Sequence, residues 1–182
     1  MEEIYVENIA EVLRNKRRIE REMQIQIKNK GKIIFVNGKA ENEFIAIKIL
    51  EAVNLGFSLH EALKLKEDNI LLHIINIKDI TKRHDLERVR GRIIGTRGKT
   101  LQTLKNLTDC SFSLSFNQVG IIGDVEEIKD AIDALTLIIQ GSKQGNVYGR
   151  LEKQRKKKRL KNRNLGIKLK EETEKEIEED ES

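Results

Sequence analysis

The sequence predicts an α+β chain built from two copies of one β-α-α-β-β-α unit, followed by a charged C-terminal tail. Each unit is expected to be a three-stranded sheet packed by helices. Three observations lead there. Strand-like and helix-like stretches recur in the same order along residues 1–67 and 68–150. Aligning Ile25-Gln26-Ile27 with Cys110-Ser111-Phe112 superposes the two copies, which gives a repeat of roughly 85 residues. Residues 151–182 abandon both periodicities for a run of Lys and Arg and then a block of Glu and Asp.

The first unit opens with a short strand, Ile4-Tyr5-Val6. A basic helical stretch follows from Ile9 to Met23, where Ile9, Val12, Leu13, Ile19 and Met23 share one face. Ile25 to Lys28 alternates as a half-buried strand does, Asn29-Lys30-Gly31 signals a turn, and Lys32 to Val36 forms the returning strand. Asn37-Gly38 closes this hairpin. Glu41 to Leu55 is a helix with Phe44, Ile45, Ile49, Ala52 and Val53 as its apolar stripe, ended by Gly56. Ser58 and Glu61 then match a capping box for a short helix whose buried side is Leu59, Ala62, Leu63 and Leu65.

The second unit repeats the plan with stronger signals. Asn69 to Ile77 is an apolar strand, Lys82 to Ile94 a helix, and Lys99 to Thr108 another. Ser111 to Phe116 alternates cleanly, and Gln118 to Ile122 is its partner strand. Val125 to Ile139 is a long helix with Ile128, Ala131, Ile132, Leu135 and Ile139 inward.

The stretch that carries chemistry is Gly91-Arg92-Ile93-Ile94-Gly95-Thr96-Arg97-Gly98-Lys99-Thr100. A helix runs into two glycines, and a second helix opens directly after them. Glycines lacking Cβ let a nucleic-acid backbone come close. The free N–H groups and positive dipole end of the second helix suit phosphate, and Arg97 and Lys99 add charge there. This is the arrangement of the KH module, whose GxxG loop clamps a short single-stranded segment. Ile93, Ile94, Phe112 and Leu114 are expected to floor the groove, while Arg92, Arg97 and Lys99 meet phosphates.

Two look-alikes are set aside. With 12 glycines in the chain, chance alone supplies roughly one GxxG, and Gly120-Ile121-Ile122-Gly123 is such a decoy: its middle is apolar and it lies in a strand. Gly98-Lys99-Thr100 ends like a phosphate-binding P-loop, but that loop needs a glycine where Ile93 stands. The first unit has no counterpart to the clamp. Its equivalent stretch, Val12-Leu13-Arg14-Asn15-Lys16-Arg17, contains no glycine, and none occurs before Gly31. Lys16, Arg17, Arg18 and Arg21 either touch phosphate or form a solvated helix face.

Composition fits this picture. Charged residues make up 36% and aromatics 4%, so Ile, Leu and Val fill the interior. The net charge of +5 understates a basic body, because acidic residues gather at the C-terminus; such a body favours a nucleic-acid partner. The single Cys110 excludes an internal disulfide and fits a reducing, cytoplasmic setting. The run from Arg150 to Arg163 is helix-prone, and the tail beyond about Lys168 is expected to be disordered. The basic run either contacts RNA backbone or is covered by the acidic block. His60, His73 and His84 are scattered and pair with neither Cys110 nor one another at a catalytic or metal spacing, so no enzyme, metal or cofactor is expected.

Three segments carry a more specific resemblance. They are Asn54-Leu55-Gly56-Phe57-Ser58-Leu59-His60-Glu61-Ala62-Leu63-Lys64-Leu65, the glycine-turn stretch, and Gly141-Ser142-Lys143-Gln144-Gly145-Asn146-Val147-Tyr148-Gly149-Arg150-Leu151-Glu152. Together and in this order they resemble the archaeal two-KH ribosomal-RNA-processing proteins, relatives of the eukaryotic partner of the Nob endonuclease. The resemblance covers residues 1 to 158. It implies two tandem type I KH domains and a non-catalytic assembly factor of the small ribosomal subunit that binds single-stranded rRNA at its 3′ end. Gly95, Thr96, Arg97, Gly98 and Lys99 would clamp the RNA. Implied partners are the 3′-end endonuclease and the alpha subunit of initiation factor two. The missing first loop departs from the family pattern and puts an RNA role for the first unit in question. A general KH-type mRNA or translation factor, and a protein–protein adaptor that uses the units as scaffolds, are the alternatives.

Overall fold

The structure, a computed structural model, describes residues 2–82 and 84–180, with side chains as far as Asn164. The first unit comprises β1 (Glu2–Tyr5), α1 (Ile9–Met23), β2 (Gln26–Lys30), β3 (Ile33–Asn37) and α2 (Ala40–Asn54). A short α3 (Leu59–Ala62) and a 3-10 turn (Leu63–Lys66) lead to the second unit. There β4 (Ile70–Asn76), α4 (Ile77–Ile80), α5 (Leu86–Ile94), a 3-10 turn (Thr96–Gly98) and α6 (Lys99–Thr108) precede β5 (Ser111–Ser115), β6 (Gln118–Asp124) and α7 (Val125–Gln140). The last element is α8 (Gln144–Asp180), which at 37 residues is about 55 Å long.

Each unit holds one antiparallel three-stranded sheet, ordered β1-β3-β2 in the first and β4-β6-β5 in the second. The equivalent strands therefore pair in the same way. The helical content does not match. Between β1 and β2 the first unit has only α1, unbroken over the 15 residues read as one helical stretch, so the second helix of the β-α-α-β-β-α plan is missing here. With no glycine to turn the chain, Val12, Ile19 and Met23 keep a single helical period and bury one stripe.

Three further features differ from expectation. α5 begins at Leu86 rather than Lys82, because the Asp85 side chain accepts from Arg88 N at 3.0 Å and caps the helix there. Phe44, expected inside α2, is 62% exposed with Lys48 Nζ 4.2 Å from its ring centroid, while Ala46, Ile49, Leu50 and Val53 turn inward. The tail expected to be disordered is helical along its backbone to Asp180. The capping box forms as the sequence indicates: Ser58 Oγ accepts from Glu61 N, and Glu61 reaches back to Ser58 N.

The two units share packing. Ile122 of β6 belongs to the buried core of the first unit, and Ile70, Leu72 and Ile74 of β4 pack against it. The other face of that sheet, through Ile75, Val119 and Ile121, joins the core under α5, α6 and α7. Alternation along the strands thus serves two cores from one sheet. The decoy glycines sit here. A Cβ on Gly120 would lie 2.6 Å from the Phe57 ring, and one on Gly123 would overlap the Cys110 sulfur. Both are glycine because a neighbouring side chain occupies the space. Ser113 Oγ adds a 2.7 Å bond to Leu55 O across the same junction. No described helix is long and apolar enough to cross a membrane.

Candidate nucleic-acid interface

The glycine turn is built between α5 and α6 by three residues of left-handed backbone. Gly95 has φ +72°, Arg97 +53° and Gly98 +76°. Gly98 N donates to Gly95 O at 3.2 Å, so the four residues close on themselves. The two glycines have different reasons. A Cβ at Gly95 would strike Thr100 Oγ1, whereas one at Gly98 would meet nothing within 4 Å. Gly95 is therefore a packing position and Gly98 leaves a bare, open approach to the backbone. Thr96, Arg97 and Lys99 are exposed around it, and the 10-residue α6 points its free N–H groups into the same space.

Helical angle sorts the residues of α5, because successive positions turn by about 100°. Val89 and Ile93 face the core, with Ile93 wholly buried. Arg92 projects to one flank, where its Nη2 donates to Ser142 O at 2.7 Å. Arg90, Gly91 and Ile94 lie on the opposite flank, with Ile94 40% exposed and Gly91 exposed. That flank faces the β5–β6 hairpin, since Arg90 Nη1 approaches Phe116 O at 3.4 Å. Behind it, Phe112 and Leu114 are half-buried against the core.

The structure therefore divides the residues expected at the site. Ile94, Gly95, Thr96, Arg97, Gly98 and Lys99 come together on one open surface, backed by Phe112 and Leu114. Ile93 and Arg92 do not join them. The first of an Ile-Ile pair fills the core while the second faces out, and the Arg92 guanidinium is engaged by the α7–α8 junction.

Sequence reasoning missed the struts under the turn. Gln144, at the start of α8, donates from Nε2 to Thr100 Oγ1 (2.9 Å) and to Arg92 O (3.1 Å). Thr100 is 3% exposed. Further along, Arg155 donates to Asn106 O and pairs with Asp109, and Lys158 pairs with Glu127 and Asp130. The basic run thus has an inner set of cations that fasten α8 to α6 and α7. Its outer set, including Arg150, Lys153 and Lys157, lines a shallow groove over Gly145 and Gly149. The position of Gln144 inside the third resembling segment was the available signal.

Among the described residues no group of three His, Cys, Asp or Glu side chains could hold a metal. Burial pushes the Cys110 thiol up to about 11, and the Glu127 and Asp109 charges act in the same direction despite a bond to Thr108. A thiol so held is protonated and unreactive at neutral pH.

Comparison with known proteins agrees with this architecture. A family model for the eukaryotic-type (type I) KH domain, in the form named for the second such domain of PNO1, matches residues 71–156. The fold and the glycine turn therefore define a KH-domain protein. The chain is 31% identical to Dim2p from Pyrococcus horikoshii, with a TM-score of 0.76 over 84% of this chain and 99% of that one. A chain of the a/eIF2alpha–aDim2p–rRNA complex from the same organism matches at 30% identity and a TM-score of 0.80, covering 86% of this chain and 94% of that one. The pre-rRNA-processing protein PNO1 of Eremothecium gossypii is 34% identical over 105 residues, 56% of this chain and 39% of that protein. The chain belongs to the Dim2/PNO1 family. It spans from 66% down to 39% of the length of the first curated relatives it matches, and nearly all of the solved archaeal chains.

Proposed function

We propose that this chain is a non-catalytic, cytoplasmic factor that binds single-stranded small-subunit rRNA near its 3′ end during processing and assembly of the small ribosomal subunit. The observation that carries the proposal is the open turn at Gly95–Gly98. It offers bare backbone, outward N–H groups and the Arg97 and Lys99 side chains on one surface. In this reading Ile94, Gly95, Thr96, Arg97, Gly98 and Lys99 contact the RNA, and Phe112 and Leu114 hold the groove from behind.

The chain is read as two tandem KH domains, residues 1–67 and 68–150, with 151–182 as a helical, basic-then-acidic extension. The matching strand orders support the pairing of the two units. The first unit has one helix where a clamp needs two, so it serves as a degenerate domain that supports the second or receives a protein. The related Dim2p chain was crystallised with a/eIF2alpha and rRNA, which favours both as partners here. The 3′-end endonuclease is a third.

The test is Gly98→Asp. The new side chain has room, and Asp tolerates left-handed backbone, so the fold should survive. A carboxylate facing phosphate should weaken binding of single-stranded RNA by about tenfold or more at moderate salt. Unchanged affinity in a folded variant refutes the loop assignment. Crosslinking in cells with sequencing of the bound RNA tests the transcript, and reads concentrated outside small-subunit rRNA refute the processing role in favour of a general translation factor.

A further inference from the structure

We propose that Phe116, with Arg90 beside it, is a platform for one unpaired nucleobase of the strand whose backbone is held at Gly95–Gly98. The proposal rests on the RNA-binding reading of that loop and adds a base subsite at the far side of the groove.

The exposure of Phe116 is the starting point. At 73% it is the most exposed large apolar side chain among those described. The other two strongly exposed aromatics, Phe44 and Tyr5, lie in the first unit and each has a lysine over its ring. Among the described residues no cation covers the Phe116 ring.

The backbone adds a second observation. Phe116 has φ +50°, a region that bulky residues seldom occupy and that glycine or asparagine would take without strain. Asn117 follows immediately, yet the left-handed position is held by the phenylalanine. A strained backbone beneath an exposed ring points to a functional demand at the hairpin tip rather than to folding.

Position supplies the third. Phe112 and Leu114 alternate toward the core along β5, and Phe116 follows the strand directly, at the tip of the hairpin. Arg90 and Ile94 are four apart on the facing flank of α5, and the Arg90 guanidinium is held at the Phe116 carbonyl. Between them Gly91 presents bare backbone with nothing within 4 Å of a Cβ. A ring, a guanidinium and an open floor beside a phosphate-binding turn suit a splayed base, which stacks on aromatic and guanidinium planes alike. Glu87 is the acidic residue of this helix and sits in its first turn, at the opposite end from the loop.

The chain contains no tryptophan, so Phe116→Trp creates a single reporter. Its emission should be quenched when single-stranded RNA binds, and an abasic site at the stacked nucleotide should relieve the quenching. Phe116→Ala should lower affinity about 5- to 150-fold, the range for losing one stacked base. The salt dependence of binding should be unchanged, since no phosphate contact is removed. Phe116→Asn, which suits the backbone, should match or exceed the parent in thermal stability and bind RNA as weakly as Phe116→Ala. If both variants bind RNA like the parent while Gly98→Asp loses binding, the platform is refuted and the loop stands. If Gly98→Asp binds normally, the loop reading fails on its own account. If the Phe116 variants keep RNA and lose an apolar protein partner, the tip is a protein-docking residue and the proposal is overturned.

Discussion

Gln144 Nε2 lies 2.9 Å from Thr100 Oγ1 and 3.1 Å from Arg92 O, so one amide from α8 fastens the helix before the glycine turn to the helix after it. Because Gly95 packs on Thr100, the bracket also fixes where the turn begins. Gln144→Ala should cost about 1–2 kcal/mol of stability, the range for losing two hydrogen bonds at a partly buried site. Gln144→Glu should cost more, since a carboxylate cannot donate and would face the Arg92 carbonyl. Urea unfolding measures both. Hydrogen exchange should show faster exchange at the amides of residues 95–100 than in α7, which distinguishes a bracket on the turn from general loosening.

The junction between the units depends on Gly120 lying against Phe57. With 2.6 Å from an added Cβ to the ring and 3.2 Å to Leu55 Cδ1, neither neighbour can retreat without opening a core. Gly120→Ala should destabilise by about 1–3 kcal/mol, as overpacking does. Combining it with Phe57→Leu should recover part of the loss. A double-mutant cycle by thermal unfolding checks this, and a purely additive result would show that the two residues do not share the space.

The same glycine shows how far the sequence could be read. The period-two pattern of β5 and β6 located the strands, and the absence of basic residues excluded Gly120–Gly123 as a clamp. Why glycine was needed there stayed hidden, since Phe57 lies 63 positions earlier and only the tertiary fold brings it in. The glycine turn was legible for the opposite reason: its helices, glycines and charges are local, so a turn between two helices at Gly95 to Lys99 could be read from the chain alone. Orientation was not. Ile93 and Ile94 are equally apolar, and helical phase against a core of unknown position decides which is buried. Arg92 and Gln144 fall 52 residues apart, and their coupling depends on where α8 docks. In the first unit the stretch Ile9 to Met23 was legible as one helix, and the two-helix plan carried over from the repeat failed because a glycine-free sequence simply continues its helix.

Glu61 links the short α3 to the second unit through Lys105, 3.0 Å away. Burial alone would push its carboxyl up, but bonds from Lys105, Ser58 and Ser111 and the lysine charge hold it at about 2, against an ordinary 4.5. The folded value is depressed, so the carboxylate contributes stability above pH 4.5 and loses it as pH falls toward 2. The expected contribution is about 1–2 kcal/mol after solvent screening at this half-open site. Glu61→Gln should lower stability at pH 7 and flatten its decline between pH 4.5 and 2. Equal acid sensitivity in the variant and the parent would remove Glu61 from the account.

Lys158 is the last described point at which α8 is fastened to the body. Its Nζ lies 3.0 Å from Asp130, 3.1 Å from Glu127 and 2.9 Å from Glu126 O, all on the first turns of α7. Burial would lower its pKa, yet the Asp130 and Glu127 carboxylates raise it, so the charge is secure at neutral pH. Val147 and Leu151 hold the start of the helix by burial, and Leu160 beyond the latch is 51% exposed. Lys158→Met keeps the aliphatic stem and removes the charge. It should destabilise globally by no more than about 1 kcal/mol, as expected for partly exposed ion pairs, while trypsin cleavage between residues 153 and 163 accelerates several-fold. Raising salt should speed cleavage of the parent toward that of the variant, because screening weakens the ionic latch and leaves the apolar one intact. Cleavage at unchanged rates in both proteins would mean that burial of Val147 and Leu151 alone sets the position of α8.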